Sequence, residues 1–554
     1  MPADMPDLLL GPLLRYVGET EATVWVETGA PCEVEVLGHR ARTFAVDGHH
    51  FALVLVRGLE PGGVHPYEVR LDGEPVWPRH RDPFPAPAIR TLPGEGPVRL
   101  AFGSCRVSVP HEPPYTLPKD EDDRGREIDA VHALVQRMRR EPSGTWPHAM
   151  LFLGDQVYGD EVSPGALEFI RARRDTSQPP GEEVADFEEY SRLYWESWRD
   201  PAMRWFLSTV SSSMIWDDHD VHDDWNTSAA WVQEMRAKPW WDRRITAAIA
   251  SYWVYQHIGN LSPSELAEDE LYQRVCAAPD PGAVLREFAE RDAHATDGSR
   301  WSYYRDFGRT RLVMMDSRGG RVLRPERRCM VDDDEWRWIT EHSHGDFDHL
   351  LLGTSLPVLL GPGMHHLEAW NEAVCAGAWG GWATGLGERL RQGLDLEHWG
   401  AFDDSFDLLV ALLQTVATGA FDEDPEPPAT VVMLSGDVHH AYVAEVAFRR
   451  GSAARSRVYQ AVCSPLRNPL DKRERRVIRA GMTRTAHAAG RLLARSAGVQ
   501  DPAIRWRVCE GPWFDNQIAT LDISGRRLDL RIERATPGPG ENRGLETVLE
   551  RSLG

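Results

Sequence analysis

Met150 to Leu153 is an uninterrupted apolar run, as expected of a strand buried on both faces. Gly154 follows it, and then Asp155, Tyr158, Asp160 and Glu161 crowd into seven residues. This stretch constrains the chain more than any other. A carboxylate released at the end of a buried strand is costly unless positive charge meets it. In an open α/β sheet the carboxyl ends of the strands are also where ligands gather. The stretch therefore implies a cation, and other strand ends that help to hold it.

The same pattern recurs. Val98–Phe102 runs into Gly-Ser-Cys105-Arg106, and Ser213–Trp216 into Asp217-Asp-His-Asp220. Arg311–Met315 runs into Asp316-Ser-Arg318, and Thr430–Leu434 into Ser-Gly-Asp437-Val-His439-His440. One such end reads as a turn or cap. Five of them, at Cys105, Asp155, Asp218, Asp316 and Asp437, do not, because parallel strand ends converge on one face. Buried together, these carboxylates would be driven towards protonation unless cations neutralised them. Carboxylates suit hard cations, whereas a thiolate, a phenolate and an imidazole suit iron or zinc better. The residues thus predict a two-metal centre with one softer and one harder site. Asp316 reads either as a ligand or as the residue that orients Arg318, and Asp160 and Glu161 either as outer ligands or as a helix cap.

Helical spacing between the strands, as at Ile128, Val131, Val135 and Met138, predicts an α/β core over residues 98–540. Ahead of it, alternating segments such as Ala22–Thr28 and Phe51–Val56 predict a small β-sandwich over residues 1–93. Its Leu59–Tyr67 turn is similar to that of fibronectin type III domains, and the proline-rich Pro78–Pro97 reads as the linker. Glu541–Gly554 reads as a loose or helical tail. A net charge of −23, from 85 acidic and 62 basic residues, excludes general nucleic-acid binding but not a local pocket for a phosphorylated small molecule. Seven scattered cysteines without a CxxC pair, an acidic N-terminus and no twin-arginine run predict a reduced, cytoplasmic protein. The longest uncharged run, Leu350–Met364, is broken by glycine and proline and is no membrane span.

Gly154-Asp-Gln-Val-Tyr158 resembles the GDxxY box of purple acid phosphatases. Asp218-His219-Asp220 resembles the GN-H-D/E box of calcineurin-like phosphoesterases with Asp for Asn, and Gly436-Asp437-Val-His439 their GHxH box with Asp for the first His. With Cys105 at the first strand end and Met315-Asp-Ser-Arg318, the set resembles the alkaline phosphatase D (PhoD-like) metallophosphatases. The resemblance implies a four-layer αββα sandwich and a hydrolase of phosphomonoesters, phosphodiesters or both. It implies Fe(III) held by Cys105, Asp155, Tyr158 and His439, and Ca2+ sharing Asp155 and held also by Asp218 and Asp437, with Mn2+ or Zn2+ as alternatives. His219 would stand over the leaving oxygen of a small-molecule phosphate ester, and Arg106 and Arg318 would pair with its phosphate oxygens.

The sequence departs from this pattern where the superfamily's VxxH motif would bring a further histidine: Gly353-Thr-Ser355 stands at that strand end. His365 or His366 reads as a substitute ligand or, better, as a surface or loop histidine, and Glu397-His398-Trp399 as part of a lid or, at helical spacing, as packing. Two alternatives remain open. One is hydrolysis of another phosphorus ester, such as a phospholipid head group or a phosphotriester. The other is a non-catalytic metal-binding protein.

Overall fold

The computed structural model describes residues 6–79, 83–295, 298–324, 327–420, 426–448, 452–538 and 544–554. The N-terminal strands form two four-stranded sheets. One runs Leu8–Val17, Glu21–Thr28, His49–Arg57, Phe44–Val46, and the other His39–Arg42, Glu33–Val36, Val69–Leu71, Glu74–Trp77. Alternation sends Val24, Val26, Val54 and Val56 of the first against Val34, Val36, Val69 and Leu71 of the second. The opposite face of the first sheet is also covered. Trp25 and Phe51 pack against Trp198 and Tyr255 of the following domain, and the Trp25 indole donates to the Val254 carbonyl at 2.9 Å. Tyr67 donates to the Ser208 carbonyl at 2.6 Å, so it ties the sandwich to the rest of the chain. Within the expected linker, Ala88–Arg90 pairs with Val64–Pro66.

The remainder is built on two facing sheets. The first has the order Ser211–Ile215, Ala149–Leu153, Val98–Gly103, Gln517–Ser524, Arg527–Thr536, Gly544–Ser552. The second runs Tyr303–Phe307, Thr310–Met314, His349–Gly353, Thr430–Ser435, Arg457–Val462, Ala441–Phe448, Ile504–Trp513. Leu100, Phe102 and Leu151 of the first share one core with Leu312, Leu351, Val432 and Leu434 of the second. Helices cover the outer faces, among them Ala130–Met138 on the first and Asp333–His342 and Asp403–Thr418 on the second. This is the predicted α/β arrangement of four layers. Residues 541–543 of the expected C-terminal tail lie outside the described residues. The rest of that tail forms an edge strand, Gly544–Ser552, with Leu549 set opposite Ile532 in its ladder.

Each sheet contains a parallel ladder, Val98–Gly103 beside Ala149–Leu153 beside Ser211–Ile215 in the first and Thr310–Met314 through Arg457–Val462 in the second. Parallel strands end on one side, and the metal-type residues lie just past those ends. Among the described residues no helix is long and apolar enough to cross a membrane. All seven cysteines are free.

An ionic bridge also joins the two parts. His49 lies 2.7 Å from Glu27 in the sandwich and 2.9 Å from Glu188 on the helix Phe187–Trp198. Burial alone would lower the imidazole, but the two carboxylates overcome it and raise its pKa from 6.5 to about 9. A raised folded-state pKa adds stability that is complete below the unfolded value and disappears as pH rises through the folded one, here at most on the order of 3 kcal/mol. The Tm gap between wild type and His49→Leu should therefore be larger at about pH 6 than at about pH 10. A gap independent of pH would remove the ion pair from the interface.

Candidate metal centre

The ladder that pairs Leu153 with Ile215 sets Asp155 beside Asp217, each two residues past its strand. Cys105, Asp316 and Asp437 stand at the same offset from Gly103, Met314 and Ser435. Cys105, Asp155, Asp437 and His439 all have left-handed backbone, with φ of 57°, 52°, 63° and 50°. Such conformations cost about 1–3 kcal/mol each for non-glycine residues and gather at functional sites. The loops also approach closely. A Cβ on Gly154 would lie 2.7 Å from that of Asp217, and one on Gly436 2.0 Å from the Ser104 hydroxyl.

Asp220 holds the Asp155 loop in shape. Its buried carboxylate accepts the backbone N–H groups of Asp155 at 3.0 Å, Gln156 at 3.2 Å, Val157 at 3.3 Å and Asp217 at 2.9 Å, and the Gln256 amide at 3.1 Å. Two deep groups of chelating side chains result, each with donor atoms within 4.8 Å of one another: Cys105, Asp155 and His439, and Asp155, Asp217 and Asp218. Asp155 belongs to both, and a third group at the same spacing, Asp160, His219 and Asp223, lies nearer the surface. Asp155 Oδ1, Asp217 Oδ2 and Asp218 Oδ1 are buried with no hydrogen-bond partner among the described residues. Native proteins rarely leave such oxygens unsatisfied.

The protein's own charges leave the centre strongly frustrated. Burial raises Asp155, Asp217 and Asp218, and neighbouring carboxylates add to the rise. Burial and the charges of Asp155 and Asp437 raise the Cys105 thiol, and burial with Asp155 raises the Tyr158 phenol. Burial brings His439 down to about 4, so its imidazole is neutral and its lone pair can bind a metal. A thiol, a phenol, a neutral imidazole and three carboxylates with unpartnered oxygens fit cations, and burial of this set needs them. Cys105 Sγ lies 3.1 Å and 3.2 Å from the Ser104 and Ser464 hydroxyls, and the Tyr158 hydroxyl 3.5 Å from Asp155 Oδ2 and 3.3 Å from the Asn468 amide.

His219 packs its ring 4.8 Å from that of Tyr158, and its Nδ1 lies 3.0 Å from both oxygens of Asp160. Burial opposes the charged imidazole, but Asp160 and Asp218 raise its pKa well above the ordinary value, and in return His219 keeps Asp160 ionised. Asp160 also accepts the Asp223 N–H at 2.6 Å. Asp160, read in sequence either as an outer ligand or as a helix cap, is thus the partner that orients His219, while Glu161, read in the same two ways, is exposed. Asp316 accepts the Trp216 indole and the backbone N–H groups of Arg318, Gly319 and Gly320, so it shapes the turn that carries Arg318.

The arginines differ from expectation. Arg106 is buried with Nε and Nη2 on Asp129 at 2.9 Å and 2.8 Å and Nη1 on the Ser197 carbonyl at 3.2 Å, while Asp129 caps the helix Ala130–Met138. It anchors a helix and offers no free fork to a phosphate. Arg318 is fully buried between Asp217 and Glu397, each at 2.5 Å, with Nη2 3.3 Å from Asp218. It partly neutralises the acidic group. Asp437 stands outside both groups, and its Oδ2 lies 3.1 Å from His398 Nε2.

Sequence pattern alone misses Asp217 and His398 as site residues. Asp217 is hidden by its neighbour Asp218, although its offset from Ile215 matches that of Asp155 from Leu153. Glu397 and His398 carry no local signal, because a loop between distant helices brings them in. His365 and His366 are buried in the helix Pro362–Cys375, against Phe406 and His487 respectively, and lie in neither group.

Residues 5–89 match a domain of unknown function, DUF7800, and residues 129–277 match the PhoD-like phosphatase family. The second match includes Asp155, Tyr158, Asp217, Asp218 and His219. No curated protein matches. Among solved structures, PhoD aligns with a TM-score of 0.57 at 12% identity over 100% of this chain and 93% of its own. A purple acid phosphatase from yellow lupin (Lupinus luteus) seeds aligns with a TM-score of 0.49 at 10% identity, over 96% of this chain and 72% of its own. Residues 129–277 thus carry the pattern of the PhoD-like phosphatase family, and the chain along its whole length has a fold similar to that of PhoD.

Proposed function

We propose that the protein hydrolyses phosphate esters, monoesters or diesters, at a centre of two cations that share Asp155. The observation that carries this reading is the membership of Asp155 in both groups, with its own Oδ1 unpartnered and the unpartnered oxygens of Asp217 and Asp218 beside it. Cys105, Tyr158 and His439 would hold the softer cation, for which we propose Fe(III). Asp217 and Asp218, with Asp437 beside them, would hold the harder one, for which we propose Ca2+, with Mn2+ or Zn2+ as alternatives. Such cations polarise phosphoryl oxygens and lower the pKa of a water towards ~7.

The other steps belong to the chain. Asp160 fixes His219 through Nδ1, which leaves Nε2–H to protonate the departing alkoxide. Arg318 opposes the rise that burial imposes on Asp217 and Asp218 and aligns the two carboxylates, a positioning role instead of a phosphate contact. Asp220 and the left-handed turns preset the ligands, so little reorganisation accompanies binding.

His219→Ala should lower kcat on an aryl phosphate by about 10²–10⁴-fold with metal content unchanged. Asp160→Asn should lower it less, and both variants should lose the basic-leaving-group substrates first. Unchanged turnover in His219→Ala would remove His219 from the reaction. Tyr158 on Fe(III) should give a visible charge-transfer band that disappears in Tyr158→Phe. A colourless, iron-free and fully active protein would overturn the iron assignment. Chelation should lower Tm by several degrees and re-addition restore it, since ligand at 100 times Kd adds about 2.7 kcal/mol. A Tm indifferent to chelator would contradict the reading of the unpartnered carboxylates.

A further inference from the structure

The segment between the strands His349–Gly353 and Thr430–Ser435 carries the helices Pro362–Cys375, Gly381–Gly393 and Asp403–Thr418. Between the second and third, one dipeptide turns inward. Glu397 lies 2.5 Å from Arg318 Nη1, 3.2 Å from Arg321 Nη1, and accepts the Thr227 hydroxyl. Arg318 in turn pairs with Asp217 and Asp218. The next residue, His398, takes the other side of the centre, with Nε2 3.1 Å from Asp437 Oδ2. Its Nδ1 lies 2.8 Å from Glu368 Oε1, and its backbone N–H donates to the same oxygen at 3.3 Å. Glu368 sits fully buried on the helix Pro362–Cys375, and its Oε2 has no hydrogen-bond partner among the described residues.

A carboxylate that fixes one ring nitrogen leaves the other with a set direction, the usual arrangement around metal-site histidines. Here that other nitrogen meets the carboxylate of Asp437, whose backbone is already bound into the centre: its N–H donates to the Ser104 hydroxyl at 3.0 Å, and its carbonyl accepts from Cys105 Sγ at 3.5 Å. Gly400 permits this packing, since a Cβ there would lie 2.8 Å from Glu368 Oε2 and 2.9 Å from His365 Nδ1. The segment therefore reaches the acidic centre through two adjacent residues, one through Arg318 and one directly.

The geometry points to His398, held by Glu368, as a positioning residue that aims Asp437 at the harder cation, so that the helical segment 362–402 completes that half of the site. This inference rests on the function proposed above and adds to it the source of the missing histidine-borne support: the loop before Trp399 supplies what the strand end at Gly353–Ser355 does not.

Cation binding tests it without recourse to turnover. Full-length wild type, His398→Ala, His398→Gln and Glu368→Gln are titrated with Ca2+ by calorimetry, and the iron content of the same samples is measured. We expect His398→Ala to bind Ca2+ about 10–100-fold more weakly with iron content unchanged. His398→Gln keeps an N–H near the Nε2 position and should stay within a few-fold of wild type, and Glu368→Gln should fall between. Equal Ca2+ affinity in wild type and folded His398→Ala would overturn the inference, as would an equal loss in His398→Gln. Should His398→Ala not fold, unchanged affinity in Glu368→Gln would overturn it as well. A wild type that takes up no cation would overturn the proposed function itself, and the inference with it.

Discussion

Buried negative charge governs the architecture of this protein. Asp155, Asp217, Asp218 and Asp220 all lie at or near zero exposure, with Arg318 as the guanidinium paired to two of them. Uncompensated charges of this kind cost several kcal/mol each after relaxation. Asp220 accepts four backbone N–H groups and the Gln256 amide, which oppose the rise that burial imposes on it. Asp155, Asp217 and Asp218 each retain an unpartnered oxygen, and these oxygens lie where two sheets present their parallel strand ends. The fold concentrates a charge that only a ligand of opposite sign can balance, which is why metal binding and stability are expected to rise and fall together.

Two layers of support surround that centre. The inner one is local: left-handed turns at Cys105, Asp155, Asp437 and His439, and close approaches at Gly154 and Gly436. The outer one is remote in sequence. Asp160 orients His219, Glu397 holds Arg318, and Glu368 holds His398. Among the described residues the N-terminal sandwich adds none to either metal-type group, but its inner sheet packs on the helices at 187–198 and 241–256, where Gln256 donates to Asp220. Docking of the sandwich and the shape of the Asp155 loop thus share one side chain's surroundings.

Much of this is legible in the residues because it depends on local pattern. An apolar run that ends in Gly-Asp or Gly-Ser-Cys announces both the strand and the residue at its tip, so Cys105, Asp155, Tyr158, His219 and His439 can be singled out, and the α/β order emerges from alternating strands and helices. The unreadable part depends on partners chosen by tertiary packing. Arg106 and Arg318 look alike in sequence as strand-end arginines, yet Asp129 and Ser197 engage one and Asp217 and Glu397 the other. Asp217 and Asp218 differ by one position, and only the ladder register separates them. His398 lies about 40 residues before the Asp437 it supports, and Glu397 about 80 residues after the Arg318 it holds, in a segment whose helical spacing suggests packing. The tail at 544–552 alternates weakly and pairs only because Arg527–Thr536 offers a free edge.

The central claim is that two cations share Asp155 where the sheets meet. An anomalous-difference Fourier map from crystals of active protein, collected at the iron edge and again at longer wavelength, tests it most directly. The account predicts two peaks flanking Asp155, one bonded to Cys105 and His439 and the other to Asp217 and Asp218. Active protein with no peak at Asp155, or with a single peak that leaves Asp217 and Asp218 unbound, would contradict it.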